Sequence, residues 1–183
     1  MPVLISARVP GGATRLQGQL RRLANDMLTE LDCEARELSV LLCDDRMIRK
    51  LNARYRDQPK ATDVLAFGNE ATGKHPTLPS PLLGDVVISL QTAKRQAREH
   101  GATLLQETAF LLAHGLLHLL GMDHDTPRKA ATMNRRTTQL LRTVGLSPPI
   151  GVRALASTPI PAKAVKPRKH RPKVRSRVRR SSE

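Results

Sequence analysis

Along the first 150 residues, apolar positions recur at helical spacing in some stretches and form short, strand-length runs in others, which predicts a mixed α and β domain. Val3 to Val9 reads as a strand, ended by Pro10-Gly11-Gly12. Leu16, Leu20, Leu23, Met27 and Leu31 keep helical spacing and place a helix over Leu16 to Leu31. Leu38 to Cys43 is an apolar run of strand length. Asp44 or Asp45 caps a helix reaching about Tyr55, with Met47, Ile48 and Leu51 facing inward. Asp63 to Phe67 and Gly84 to Leu90 read as further strands, separated by a Gly- and Pro-rich loop over Asn69 to Pro81. A polar helix follows to His100 and is stopped by Gly101.

The next helix is different in kind. Thr103 and Gln106 have the spacing of a capping box, and the stretch after them, QETAFLLAHGLLHLLG, is apolar nearly all round. Such a helix belongs at the centre of a fold, where polar side chains are costly unless partnered. His114 and His118, four residues apart, lie on one face, one turn from each other. Gly121 can end the helix in a left-handed conformation and turn the chain back through Met122 and Asp123 to His124. Asp125 or Thr126, with Pro127, then opens a last helix. Three imidazoles returning to one point suit zinc, with a fourth position left for a water whose pKa falls to about 7. The plainer alternative is a set of core histidines satisfied by hydrogen bonds. The zinc-protease pattern H-E-x-x-H does not apply, because Gly115 stands where its general base would be. Glu107 shares the helix face but precedes His114 by about 10 Å along the axis.

Composition adds a partner class. The 183 residues carry 31 Lys and Arg against 16 Asp and Glu, a formal net charge of +15. That balance points to polyanions, nucleic acid or anionic lipid. Two thirds of the excess charge falls in residues 151–183, a Pro-containing segment with no sustained apolar period. It cannot bury enough surface to offset ordering entropy, so it is expected to be disordered. We therefore divide the chain into a domain over 1–148 and a basic tail over 149–183. Cys33 and Cys43 are the only cysteines, which excludes a disulfide scaffold. The longest apolar stretch, Phe110 to Met122, falls short of the ~20 residues that span a bilayer. The N-terminus lacks the features of a secretory signal, so a soluble, cytoplasmic, reduced protein without membrane attachment is expected. Tyr55, Phe67 and Phe110 are the only aromatics, which argues against reading RNA by stacking bases on aromatic platforms.

The segment His114-Gly-Leu-Leu-His118-Leu-Leu-Gly-Met-Asp-His124 resembles the H-G-x-L-H-L-x-G-x-D-H signature of the YbeY family of single-strand-specific endoribonucleases and rRNA maturation factors. Leu51-Asn52 through Tyr55-Arg56, Thr62-Asp63-Val64-Leu65-Ala66-Phe67 and Leu83-Gly84-Asp85-Val86-Val87-Ile88 are similar to further family blocks, in the family's usual order over roughly residues 3 to 145. Met122, Ala66 and Gly68 depart from the commonest family residues, and the basic tail is outside the family's core pattern.

The resemblance implies an α+β fold: a mixed sheet of about four strands packed with helices around a central buried metal-binding helix, zincin-like. It implies one zinc on His114, His118 and His124, with Arg56 and His114 as catalytic residues. It also implies cleavage of single-stranded RNA in rRNA processing, specifically maturation of the small-subunit rRNA 3′ end, and in ribosome quality control. The expected partners are rRNA and the ribosome or its small subunit. An arginine beside a metal suits a phosphodiester, since its planar fork holds two phosphate oxygens and stabilises charge in the transition state.

Asp63, Asp85 and Asp123 are candidates to orient the ligand imidazoles, Asp123 being best placed in sequence, although it serves equally well as a turn residue. The nucleophile is left open between zinc hydroxide and the RNA 2′-OH. Two other functions remain in view. One is a metalloprotease-like zinc hydrolase; the other is a non-catalytic RNA- or ribosome-binding factor with structural zinc.

Overall fold

The structure is a computed structural model that describes residues 3–68 and 81–149. Four strands and five helices follow in the order β1 (Val3–Arg8), α1 (Thr14–Glu30), β2 (Glu37–Cys43), α2 (Asp45–Arg56), β3 (Val64–Gly68), β4 (Leu82–Ser89), α3 (Leu90–Glu99), α4 (Leu104–Leu119) and α5 (Pro127–Thr143). Every element expected from the pattern of the described residues is present. The loop expected over Asn69 to Pro81 lies almost wholly outside the described residues, as does nearly all of the basic tail.

The strands form one sheet in the order β1-β2-β4-β3. β1, β2 and β4 are parallel, and β3 returns antiparallel along β4, so the sheet is mixed and the fold is α+β. Side chains alternate across the pleat. On one face Leu38, Val40, Leu42, Val64, Val86 and Ile88 meet Leu20, Ala24 and Met27 of α1 and most of α4 in the main core. On the other face Cys43, Leu65 and Val87 pack with Ile48, Met47 and Leu51 of α2. The two faces thus explain why these strands read as nearly continuous apolar runs.

Local signals set the boundaries. Asp44 caps α2 by accepting from the Met47 backbone N–H at 2.7 Å. Asp45, the alternative cap, instead pairs with Arg95 at 2.8 Å. β4 begins two residues before the expected Gly84 and runs directly into α3, because Ser89 ends the strand and caps the helix. Gly84 has φ +147°, and a Cβ there would stand 2.5 Å from the Phe67 carbonyl oxygen. Glycine is therefore required for β3 to lie close against β4.

Candidate metal centre

α4 starts with the expected capping box between Thr103 and Gln106. From Glu107 to Leu117 every residue is buried, which makes this the central helix of the fold. His114 is 7% exposed. The helix ends in a Schellman turn. Gly121, at φ +84°, donates its N–H to the His118 carbonyl at 3.0 Å, and the Met122 N–H donates to the Leu117 carbonyl at 2.9 Å. That turn reverses the chain and returns His124 to the helix.

The three rings come together. Ring centroids are 4.8 Å apart for His114 and His118, 5.4 Å for His114 and His124, and 5.0 Å for His118 and His124. One nitrogen from each ring lies within 4.8 Å of the others, a spacing that can hold a metal ion. Burial, reinforced by the neighbouring imidazoles, pushes the His114 pKa down to about 3. Burial and His124 push His118 down to about 4, against the opposing pull of Asp123 and a backbone hydrogen bond at Met122. Both rings are therefore neutral near pH 7, the form in which imidazole binds metal. His114 Nδ1 and His118 Nε2 are buried with no hydrogen-bond partner. Two neutral imidazoles with orphaned, buried nitrogens, meeting a third, fit a bound transition-metal ion better than a hydrogen-bonded core.

Arg56, the last residue of α2, is partly buried. Its charge also lowers the His118 pKa, which puts the guanidinium within electrostatic reach of the cluster. Burial depresses the Arg56 pKa itself. Its side chain has no hydrogen-bond or ion-pair partner among the described residues. An unpaired, half-buried cation beside this cluster favours an anion there.

Of the three candidate orienting aspartates, only Asp123 is at the cluster. Its Oδ1 accepts from the His124 backbone N–H at 2.7 Å, which holds the turn, and lies 3.8 Å from His124 Nδ1, close beside the ring. Asp63 is engaged elsewhere, accepting from Gln96, Thr62 and the Val64 backbone. Asp85 is exposed on β4, opposite Phe67. Glu107 is fully buried and bonds His100 Nδ1 at 3.0 Å, so it takes no part in the cluster.

Sequence reasoning left the role of Gly115 undrawn. Its Cα faces the sheet, and a Cβ there would come within 2.9 Å of Val86 Cγ1. The glycine lets α4 approach β4, and the position that carries the base in H-E-x-x-H here points into the core.

Fold and site thus define an α+β protein with a three-His cluster that could hold a metal ion. Comparison with known sequences narrows that class. The chain belongs to the YbeY family: the family profile described as Endoribonuclease YbeY matches residues 10–145. It is 53% identical over 123 residues to "Endoribonuclease YbeY" of Myxococcus xanthus, covering 67% of this chain and 42% of that protein. It is 44% identical over 128 residues to the protein so named in a Synechococcus strain, covering 69% of this chain and 80% of the relative. It is 45% identical over 147 residues to the one in Anaeromyxobacter dehalogenans, covering 80% and 73%. The chain thus spans under half the length of the Myxococcus protein and about three quarters of the other two. The solution structure of a Thermotoga maritima protein has the same fold, with a TM-score of 0.56 and 23% identity over 78% of this chain and 89% of that one.

Proposed function

We propose that the chain is a zinc-dependent endoribonuclease that cuts single-stranded RNA, with His114, His118 and His124 as the metal ligands. The observation that carries this reading is the meeting of three imidazoles, two of them held neutral by burial, with one unpaired, half-buried arginine. A bound zinc supplies Lewis acidity at a phosphate and a more acidic water. The chain's own residues do the rest. Arg56 holds two phosphate oxygens in its fork and meets the charge that grows on them. His114 takes part in the chemistry through its place in the ligand set, and Asp123 keeps the turn and the His124 ring in position. The zincin-like comparison extends only to the i, i+4 histidines on a buried helix, since Gly115 cannot carry a base.

We place this activity in rRNA processing: maturation of the small-subunit rRNA 3′ end and ribosome quality control. The ribosome is then a partner, and the site of action is cytoplasmic. Support comes from the family and from the net charge of +15, which suits a polyanionic substrate. Residues 149–183 act as an electrostatic tether to RNA. Among the described residues, no helix is long and apolar enough to cross a membrane.

The deciding experiment incubates zinc-loaded protein with a single-stranded RNA and with a matched peptide pool, alongside His118→Ala. Cleavage of RNA alone, lost with the metal in the variant, is expected. Peptide cleavage would shift the assignment to a hydrolase of proteins, and no turnover of either would leave a binding factor with structural zinc. Full zinc retention by His118→Ala would reject the ligand set.

A further inference from the structure

The outward face of α2 carries Arg46, Arg49, Lys50 and Arg54, all exposed. At 100° per residue the inner face is taken by Met47, Ile48, Leu51 and Tyr55, which pack on the sheet and on Phe67. Arg49 lies two turns before Arg56, about 20° away around the helix and about 10 Å along its axis. Arg46 lies about 4.5 Å further from Arg56 along the axis and about 60° around the helix from Arg49, and Lys50 stands almost level with Arg49, about 100° around on the same side. The half-buried arginine near the histidine cluster therefore adjoins a broad basic face along α2.

Among the described residues, nothing neutralises this face. Asp45, the only acid within α2, is held by Arg95, Ser89 and Thr92. Asp44 and Asp57 flank the helix as its caps. None of the four outward cations has a carboxylate partner among the described residues, and Arg54 instead lies 5.4 Å from the Tyr55 ring centroid. Arg46–Arg49, Arg46–Lys50 and Lys50–Arg54 are like-charge pairs at i, i+3 and i, i+4, a spacing that destabilises a helix unless an anion lies across it. The charge pattern is that of a surface for evenly spaced negative groups.

We propose that this face of α2 is a phosphate track along which single-stranded RNA runs away from the metal centre. Arg49 and Lys50 meet a phosphate beyond the one at Arg56, and Arg46 meets the next. The proposal rests on the RNA-cleaving reading above. It adds a direction for the strand and a cause for affinity that grows with substrate length. Because the contacts are to backbone phosphate, they carry no base preference, which agrees with the scarcity of aromatic platforms.

The test replaces Arg46, Arg49 and Lys50 together with Gln in the full chain, and as a control of equal charge replaces Arg15, Arg21 and Arg22 of α1, also exposed. Binding of a single-stranded RNA is titrated at several salt concentrations. The α2 variant should lose about 2 from the slope of log affinity against log salt, at roughly 0.7 per phosphate contact on a single strand. In cleavage the effect should fall on KM, and it should shrink as the substrate is shortened to a few nucleotides. The α1 variant should keep most of the slope. An unchanged slope in the α2 variant, or an equal fall in both variants, would overturn the track, the latter in favour of a diffuse field. Wild-type protein that binds RNA with this α2-dependent slope but never cleaves it would overturn the nuclease reading and leave the track standing.

Discussion

Gly115→Ala isolates the contact that sets the metal helix against the sheet. The new Cβ would stand 2.9 Å from Val86 Cγ1, 3.2 Å from Val86 Cγ2 and 3.6 Å from Val64 Cγ2. Valine is stiff at χ1, so Val86 cannot swing aside, and either α4 or β4 has to move. Overpacking of this kind costs about 1–3 kcal/mol, while replacing a helical glycine with alanine returns about 1 kcal/mol. The net expectation is a loss of up to about 2 kcal/mol, read as a lower urea midpoint for the metal-free protein. Val86→Ala removes both colliding methyls and costs about 2 kcal/mol by itself. In that background Gly115→Ala should change sign and stabilise by about 1 kcal/mol, a coupling of about 1–3 kcal/mol between the two sites. Movement of α4 also shifts His114 and His118 relative to His124, so the single variant should bind zinc more weakly and the double should recover part of the loss. If the two substitutions add within about 0.5 kcal/mol, the helix does not rest on Val86 through Gly115, and the account of why no base stands there fails.

Three further outcomes are expected. Arg56→Ala should keep the fold and the zinc yet slow RNA cleavage by a factor of about 10²–10³, the usual cost of losing one donor to developing charge, and Lys should restore only part. Wild-type turnover with metal retained would remove its role. Depressed pKa values of about 3 and about 4 for His114 and His118 mean that folding favours their neutral forms. Their contribution to stability is complete above the unfolded value of ~6.5 and is lost as pH falls toward the folded values, so the metal-free urea midpoint should drop steadily below pH ~6.5. A midpoint that stays flat down to about pH 4.5 would contradict this. Ending the chain at Pro149 should weaken RNA binding and flatten its salt slope while zinc content and single-turnover cleavage at saturating RNA persist; an inactive but zinc-loaded truncation would place chemistry in the tail.

Much of this protein is legible residue by residue, because its signals are local. A capping box is written in Thr103 and Gln106, a helix stop in Gly121, and a helix start in Thr126 and Pro127, each within one turn of backbone. The two ligands on α4 share a face by helical period alone, and Gly121 announces the turn that returns the third. What periodicity cannot carry is pairing over distance. That β3 lies antiparallel at the edge of a parallel sheet, with Gly84 against the Phe67 carbonyl, is a pairing between strands separated by residues 69–81. The same limit applies to the aspartates. Asp63, Asp85 and Asp123 are equivalent as letters, and only packing takes Asp63 to Gln96, leaves Asp85 in solvent and puts Asp123 beside His124. Gly115 marks the boundary most clearly. Its presence in the motif rules out one mechanism by composition, but the reason for it, a valine across the helix–sheet interface, exists only once α4 lies on β4.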